Sequence, residues 1–101
     1  TGEGVGEDDA AARDWYAKAA ASGGRGARLA LRALGAMLLF GEGGPADTIG
    51  GYALLLIAAE AGDRTAAQLL ATATTHFTPE ARAAASRIAT DWLAANPVPI
   101  L

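Results

Sequence analysis

The chain has 101 residues, the size of one domain, with 8 Lys and Arg set against 11 Asp and Glu for a net charge of −3. That balance excludes the clustered cationic surface needed for nucleic-acid binding, and the lack of Cys excludes disulfides, thiolate nucleophiles and zinc knuckles. Apolar residues make up 51% of the sequence and more than half of them are Ala, a composition that points to closely packed helices. Five helices are predicted in chain order. The first runs from about Asp9 to Ala21; Asp8 or Asp9 caps it by accepting from the free amides of the first turn, and Gly23-Gly24 ends it. The second spans about Gly26 to Phe40 and stops at Gly41, and the third runs from about Thr48 to Ala61 behind an Asp47 cap and ends at Gly62. The fourth starts after Asp63, a further cap, and frays around Thr72 to Thr75. The fifth has Thr78 as cap, Pro79 at its first position and Glu80 in the positive end of its dipole, and it ends at Ala95 or Asn96 before Pro97. No strand-like alternation competes with this pattern. Short links make consecutive helices antiparallel neighbours, so the expected fold is all-α, a short solenoid of helical hairpins.

A period of 39 residues organises these elements. Gly2-Glu3-Gly4 recurs as Gly41-Glu42-Gly43, Asp8 as Asp47, Ala19-Ala20 as Ala58-Ala59, Gly23 as Gly62 and Ala27 as Ala66. At the same offset Trp15-Tyr16 becomes Leu54-Leu55, which keeps bulk and loses the ring. Ala and Gly at the crossings let backbones approach, while Trp15, Tyr16, Leu34, Leu38 and Leu54 are expected to fill the gaps between hairpins.

The spacing resembles the Sel1-like repeats, a family of tetratricopeptide-like helical hairpins. Gly2, Gly4, Val5, Asp8, Ala12, Trp15, Tyr16, Ala19, Ala20, Gly23 and Ala27 stand at the family's spacing, and a second copy continues through Ala30, Leu34, Gly35, Gly41, Gly43, Asp47, Ala58, Ala59, Gly62 and Ala66. The second copy departs from the pattern at Leu38 (Tyr in the family), Gly44 (Val), Gly51 (Ala) and Leu54-Leu55 (Trp-Tyr), and the resemblance covers roughly residues 2 to 71. It implies an α/α right-handed superhelix closed by a C-terminal capping helix. Residues 1–27 would be the second half of a repeat, 28–66 one full repeat, and 66–101 a partial repeat plus that cap, in a single domain that forms the C-terminal part of a longer protein. The cap is expected to bury a stripe of Ala81, Ala85, Ile88, Trp92 and Ala95. The functional implication is a non-catalytic adaptor that binds a segment of another protein on its concave face. The family's exported bacterial members tilt the expected compartment toward the periplasm or envelope. The alternative is a structural subunit, in a larger assembly or homo-oligomer, buried through an unpaired first helix.

Arg25, Arg28 and Arg32 fall three and four apart, on one stripe of the second helix, which in this fold usually faces the concave side. The stripe is the candidate partner site, suited to an acidic peptide because Arg pairs bidentately with carboxylates; its plainer reading is a solvated face. Trp15-Tyr16 is read as packing, and the segments 2–6 and 41–44 as turns, since neither has the Lys and Ser or Thr of a phosphate loop. His76 has no carboxylate or second His at ligand spacing and is read as an exposed loop residue. Acids 7–9 are explained by capping and the helix dipole. The apolar tail 97–101 docks on a neighbour or on its own last helix. The longest apolar runs, 33–41 and 52–59, fall far short of the about 18 residues that span a bilayer. No catalytic, cofactor or metal-binding residue is assigned; the expected partner is another protein, with no nucleic acid and no membrane span.

Overall fold

The structure is a computed structural model that describes the backbone of residues 2–97 and the side chains of 9–24 and 26–97. The Arg25 side chain and the apolar tail from residue 98 onward therefore lie outside the described residues. Five helices follow one another: α1 (Gly2–Ser22), α2 (Arg25–Phe40), α3 (Thr48–Glu60), α4 (Arg64–Thr74) and α5 (Pro79–Ala95), with no β-strand among the described residues.

Local chemistry sets the boundaries of the last four. Gly41, left-handed at φ 73, ends α2 and turns its amide back to the Met37 carbonyl. The Asp47, Asp63 and Thr78 side chains accept from the amides of Gly50, Ala66 and Ala81, each three residues on, and so start α3, α4 and α5 as expected. α4 runs to Thr74, so it ends within the stretch expected to fray, and the Thr74 hydroxyl donates to the Leu70 carbonyl at 2.7 Å.

α1 departs from the expectation. Its backbone is helical from Gly2, so the stretch 2–6 is not a turn and neither Asp8 nor Asp9 is a cap. The equivalent stretch 41–44 is a turn, with Gly43 at φ 75. The difference lies one position further along. Pro45 stands where the first copy has Gly6, and proline both lacks an amide and drives its predecessor out of the helical region, whereas Gly6 keeps its donor.

α3 is the axis of the molecule. It is apolar all round, as suits a helix enclosed by neighbours, and buries Gly51, Tyr52, Ala53, Leu54, Leu55, Ile57 and Ala58. α2, α4 and α5 pack around it and α1 packs on α2. Leu31, Leu55 and Ile57 are the largest fully buried side chains. α2 and α3 cross at Gly35 and Gly51, where a Cβ on Gly51 would stand 2.6 Å from the Gly35 carbonyl oxygen and 2.8 Å from the Leu39 nitrogen. This closeness explains Gly51 at a position where the family pattern carries Ala.

Three packing expectations need correction. α5 lies on α3 and hardly touches α4, so the last two helices lean separately on the central one instead of forming a packed hairpin. Its buried line runs through Ala85 and Ala89, with Trp92 packed beside it, while Ile88 is 42% exposed and Ala95 is exposed. Trp15 is 64% exposed and fills no gap between hairpins, although its counterpart Leu54 is buried.

Candidate partner-binding surfaces

The arginine row lies along the N-terminal half of α2. There the Arg28 Nη1 donates to the Ala61 carbonyl at 3.3 Å, and the Arg32 Nε donates to Asp63 Oδ2 at 3.1 Å. The other carboxylate oxygen of Asp63 accepts from the Ala66 amide at 2.9 Å, so one side chain caps α4 and receives α2. Arg28 and Arg32 thus tie α2 to the turn between α3 and α4. Arg28 and Arg32 share the face that meets the turn 61–63, where both guanidiniums make contacts within the fold.

A third arginine, which the sequence reading passed over, makes the larger network. Arg13 of α1 reaches into the turn between α2 and α3. Its Nε and Nη2 donate to the Glu42 carbonyl at 3.0 and 2.6 Å, its Nη1 to Pro45 at 3.0 Å, and its Nη2 also to Gly44 at 3.2 Å and Met37 at 3.4 Å. The guanidinium fork suits a turn whose carbonyls point inward at the negative end of α2. Gly43 lets this turn lie against α1, since a Cβ there would fall on the Asp9 carbonyl.

Beyond that turn, the last residues of α2 and α4 meet the first residues of α3 and α5 around a groove of about 580 Å³. Leu39, Ile49, Leu69, Ala73, Phe77 and Ala81 are its buried or half-buried lining. Phe40, Thr48, Thr72, His76 and Thr78 line it as exposed residues, with Phe40 63% exposed. An apolar floor with a rim of hydroxyls and one imidazole is the anatomy of a surface that takes up a partner. Among the described residues no Asp, Glu, Lys or Arg lines it. Its residues come from four elements and share no period, so only the fold brings them together. His76 is exposed as expected, and its place on the rim was not legible in the sequence.

The other exposed apolar residues include Trp15, whose ring stands edge-on to Tyr16 at 5.5 Å, and Leu29, 51% exposed. Among the described residues no three His, Cys, Asp or Glu side chains are grouped to hold a metal, and no helix is long and apolar enough to cross a membrane. The family model of the Sel1 repeat matches residues 1–24 and 28–63, more than half of the chain. No curated protein and no solved structure matches it.

Proposed function

Because the chain belongs to the Sel1 repeat family, whose hairpins generally mediate contacts between proteins, we propose that it is a non-catalytic scaffold holding a segment of a partner protein in the groove between α2 and α4. The observation that carries this reading is the groove itself, an apolar floor of about 580 Å³ beside a phenylalanine left 63% exposed. Covering that ring together with the apolar floor would remove apolar surface from water, which favours a partner that does so. α2 opens the full repeat and α4 the partial one after it, and the first helix of a repeat is the one expected on the concave side. Arg28 and Arg32 serve the scaffold by fixing the turn 61–63, an assignment supported by their contacts there.

The test is affinity purification of the complete gene product from its native cells. A partner captured by the wild type, lost with Phe40→Gln and retained with Arg28→Lys supports the groove as the docking site. Retention with Phe40→Gln and loss with Arg28→Lys moves the site to the arginine row. Reversing charge there is a poor probe, since Arg32→Glu would set a second carboxylate beside Asp63 and strain the fold itself.

Trp15 favours a second reading, a structural subunit buried through α1, because that helix packs on α2 and leaves the indole 64% exposed. Light scattering decides its homo-oligomeric form: a mass near 10.1 kDa for this chain at high micromolar concentration removes it, and a dimer dispersed by Trp15→Gln supports it.

A further inference from the structure

We infer that the groove selects an uncharged, apolar stretch of its partner, and not the acidic peptide that a row of arginines would suggest; this rests on the scaffold reading above and names the partner chemistry of the same site. Among the described residues the lining offers no cation to a carboxylate and no carboxylate to a cation, and His76 is the one ionisable side chain in it. A charged side chain lowered onto Leu39, Ile49, Leu69 and Phe77 would lose its water without gaining a counter-charge from the lining. The nearest arginine of the row, Arg32, precedes Phe40 by two helical turns, about 12 Å along the axis. Its guanidinium is already paired with Asp63, so it does not reach into the groove to offset such a charge. Apolar side chains meet the opposite balance. They cover the floor and the exposed Phe40 ring, and the volume lies within the range of clefts that enclose most of a bound group. Exposed Thr48, Thr72 and Thr78 stand around that floor; the Thr72 hydroxyl, which donates to Gln68, can still accept, and that of Thr78, which accepts from Ala81, can still donate to the partner's backbone.

The experiment places the photoreactive analogue p-benzoylphenylalanine at position 40 of the complete gene product, irradiates native cells, and sequences the joined peptides by mass spectrometry. The expected adduct lies in a protein stretch without Asp, Glu, Lys or Arg for several residues on either side. Its yield falls at least tenfold with Thr72→Lys, which sets a charge in the groove. Thr72 is exposed and its hydroxyl bonds only the Gln68 carbonyl, while a cation suits the last turn of α4, so the variant keeps its fold and melts with the wild type. An adduct on an acidic stretch, on a second copy of this chain or on lipid alone overturns the inference. So does a yield no greater than from the same probe at the exposed Arg64, or one unmoved by Thr72→Lys. If a partner still co-purifies in those cases, the scaffold reading stands without this groove; if none does, both fall.

Discussion

Arg13 and Tyr52 stand 39 residues apart, at the same position of the repeat, and they do the same work with unlike chemistry. Each reaches from its own helix across to the turn that ends the next one. Arg13 crosses from α1 and fills the turn after α2 with five hydrogen bonds to four carbonyls. Tyr52 crosses from α3 to the end of α4, where its hydroxyl meets the Thr74 hydroxyl at 2.8 Å and its ring lies 4.6 Å from that of Phe77. The turns explain the choice. Residues 41–45 form a bare glycine and proline loop whose carbonyls need donors, whereas Thr74 to Phe77 presents a ring and a hydroxyl. The repeat therefore prescribes a reach, and the turn that receives it selects the residue.

Deleting each clamp tests that equivalence, and Tyr52→Ala is expected to cost the most. Tyr52 is 5% exposed and belongs to the central cluster, so truncation leaves a cavity against Phe77 and removes the hydroxyl contact to Thr74. A loss of about 3–5 kcal/mol is expected in urea unfolding, enough to leave a domain this small mostly unfolded at 37 °C. A loss below about 1 kcal/mol would show that the ring does not hold α4 to α3. Arg13→Ala comes next, at about 2 kcal/mol, because charge-assisted hydrogen bonds are strong but water replaces those made at an exposed turn. Hydrogen exchange should then show the amides of 42–47 opening ahead of the core, and Arg13→Lys, with a point charge in place of a fork, should restore less than half of the loss. Tyr52→Phe is smaller again, about 1 kcal/mol, since it removes one hydrogen bond and Thr74 keeps its bond to Leu70.

The same pair shows what the sequence could and could not disclose. α2 to α5 were legible because their ends are set by local chemistry: Asp47, Asp63 and Thr78 each act on an amide three residues away, and Gly41 acts on its own backbone. The start of α1 was not legible by analogy, because Gly2-Glu3-Gly4 matches Gly41-Glu42-Gly43 while the deciding residue, Pro45, lies outside the match. Arg13 and Tyr52 were invisible to a comparison of identities, since their likeness is one of reach. The arginine row was half legible. A spacing of three and four fixes a shared helical face, but what the face meets, a turn about thirty residues further on, depends on how α2 crosses α3. That crossing depends in turn on two glycines, Gly35 and Gly51, only one of which belongs to the repeat pattern.

The smallest effect is also the sharpest contrast between kinds of clamp. Arg32 pairs with Asp63, a carboxylate, where Arg13 meets neutral carbonyls. The ion pair is partly open to water, its side chains 30% and 10% exposed, and Asp63 keeps its capping bond to the Ala66 amide when Arg32 is removed. Arg32→Gln is therefore expected to cost about 0.5–1 kcal/mol at low ionic strength, the range of exposed pairs. Raising the salt to about 1 M shortens the screening length to about 3 Å and should erase most of that difference. The deficit of Arg13→Ala should change less over the same range, because its hydrogen bonds go to neutral carbonyls and only its attraction to the negative end of α2 is screened. Urea midpoints of the two variants, each against wild type at low and high salt, read this directly. If the two deficits shrink together, Arg13 acts through the general field of an acidic molecule and not through the turn it fills; if that of Arg32 shrinks more, the two junctions are held by different physics within one repeat.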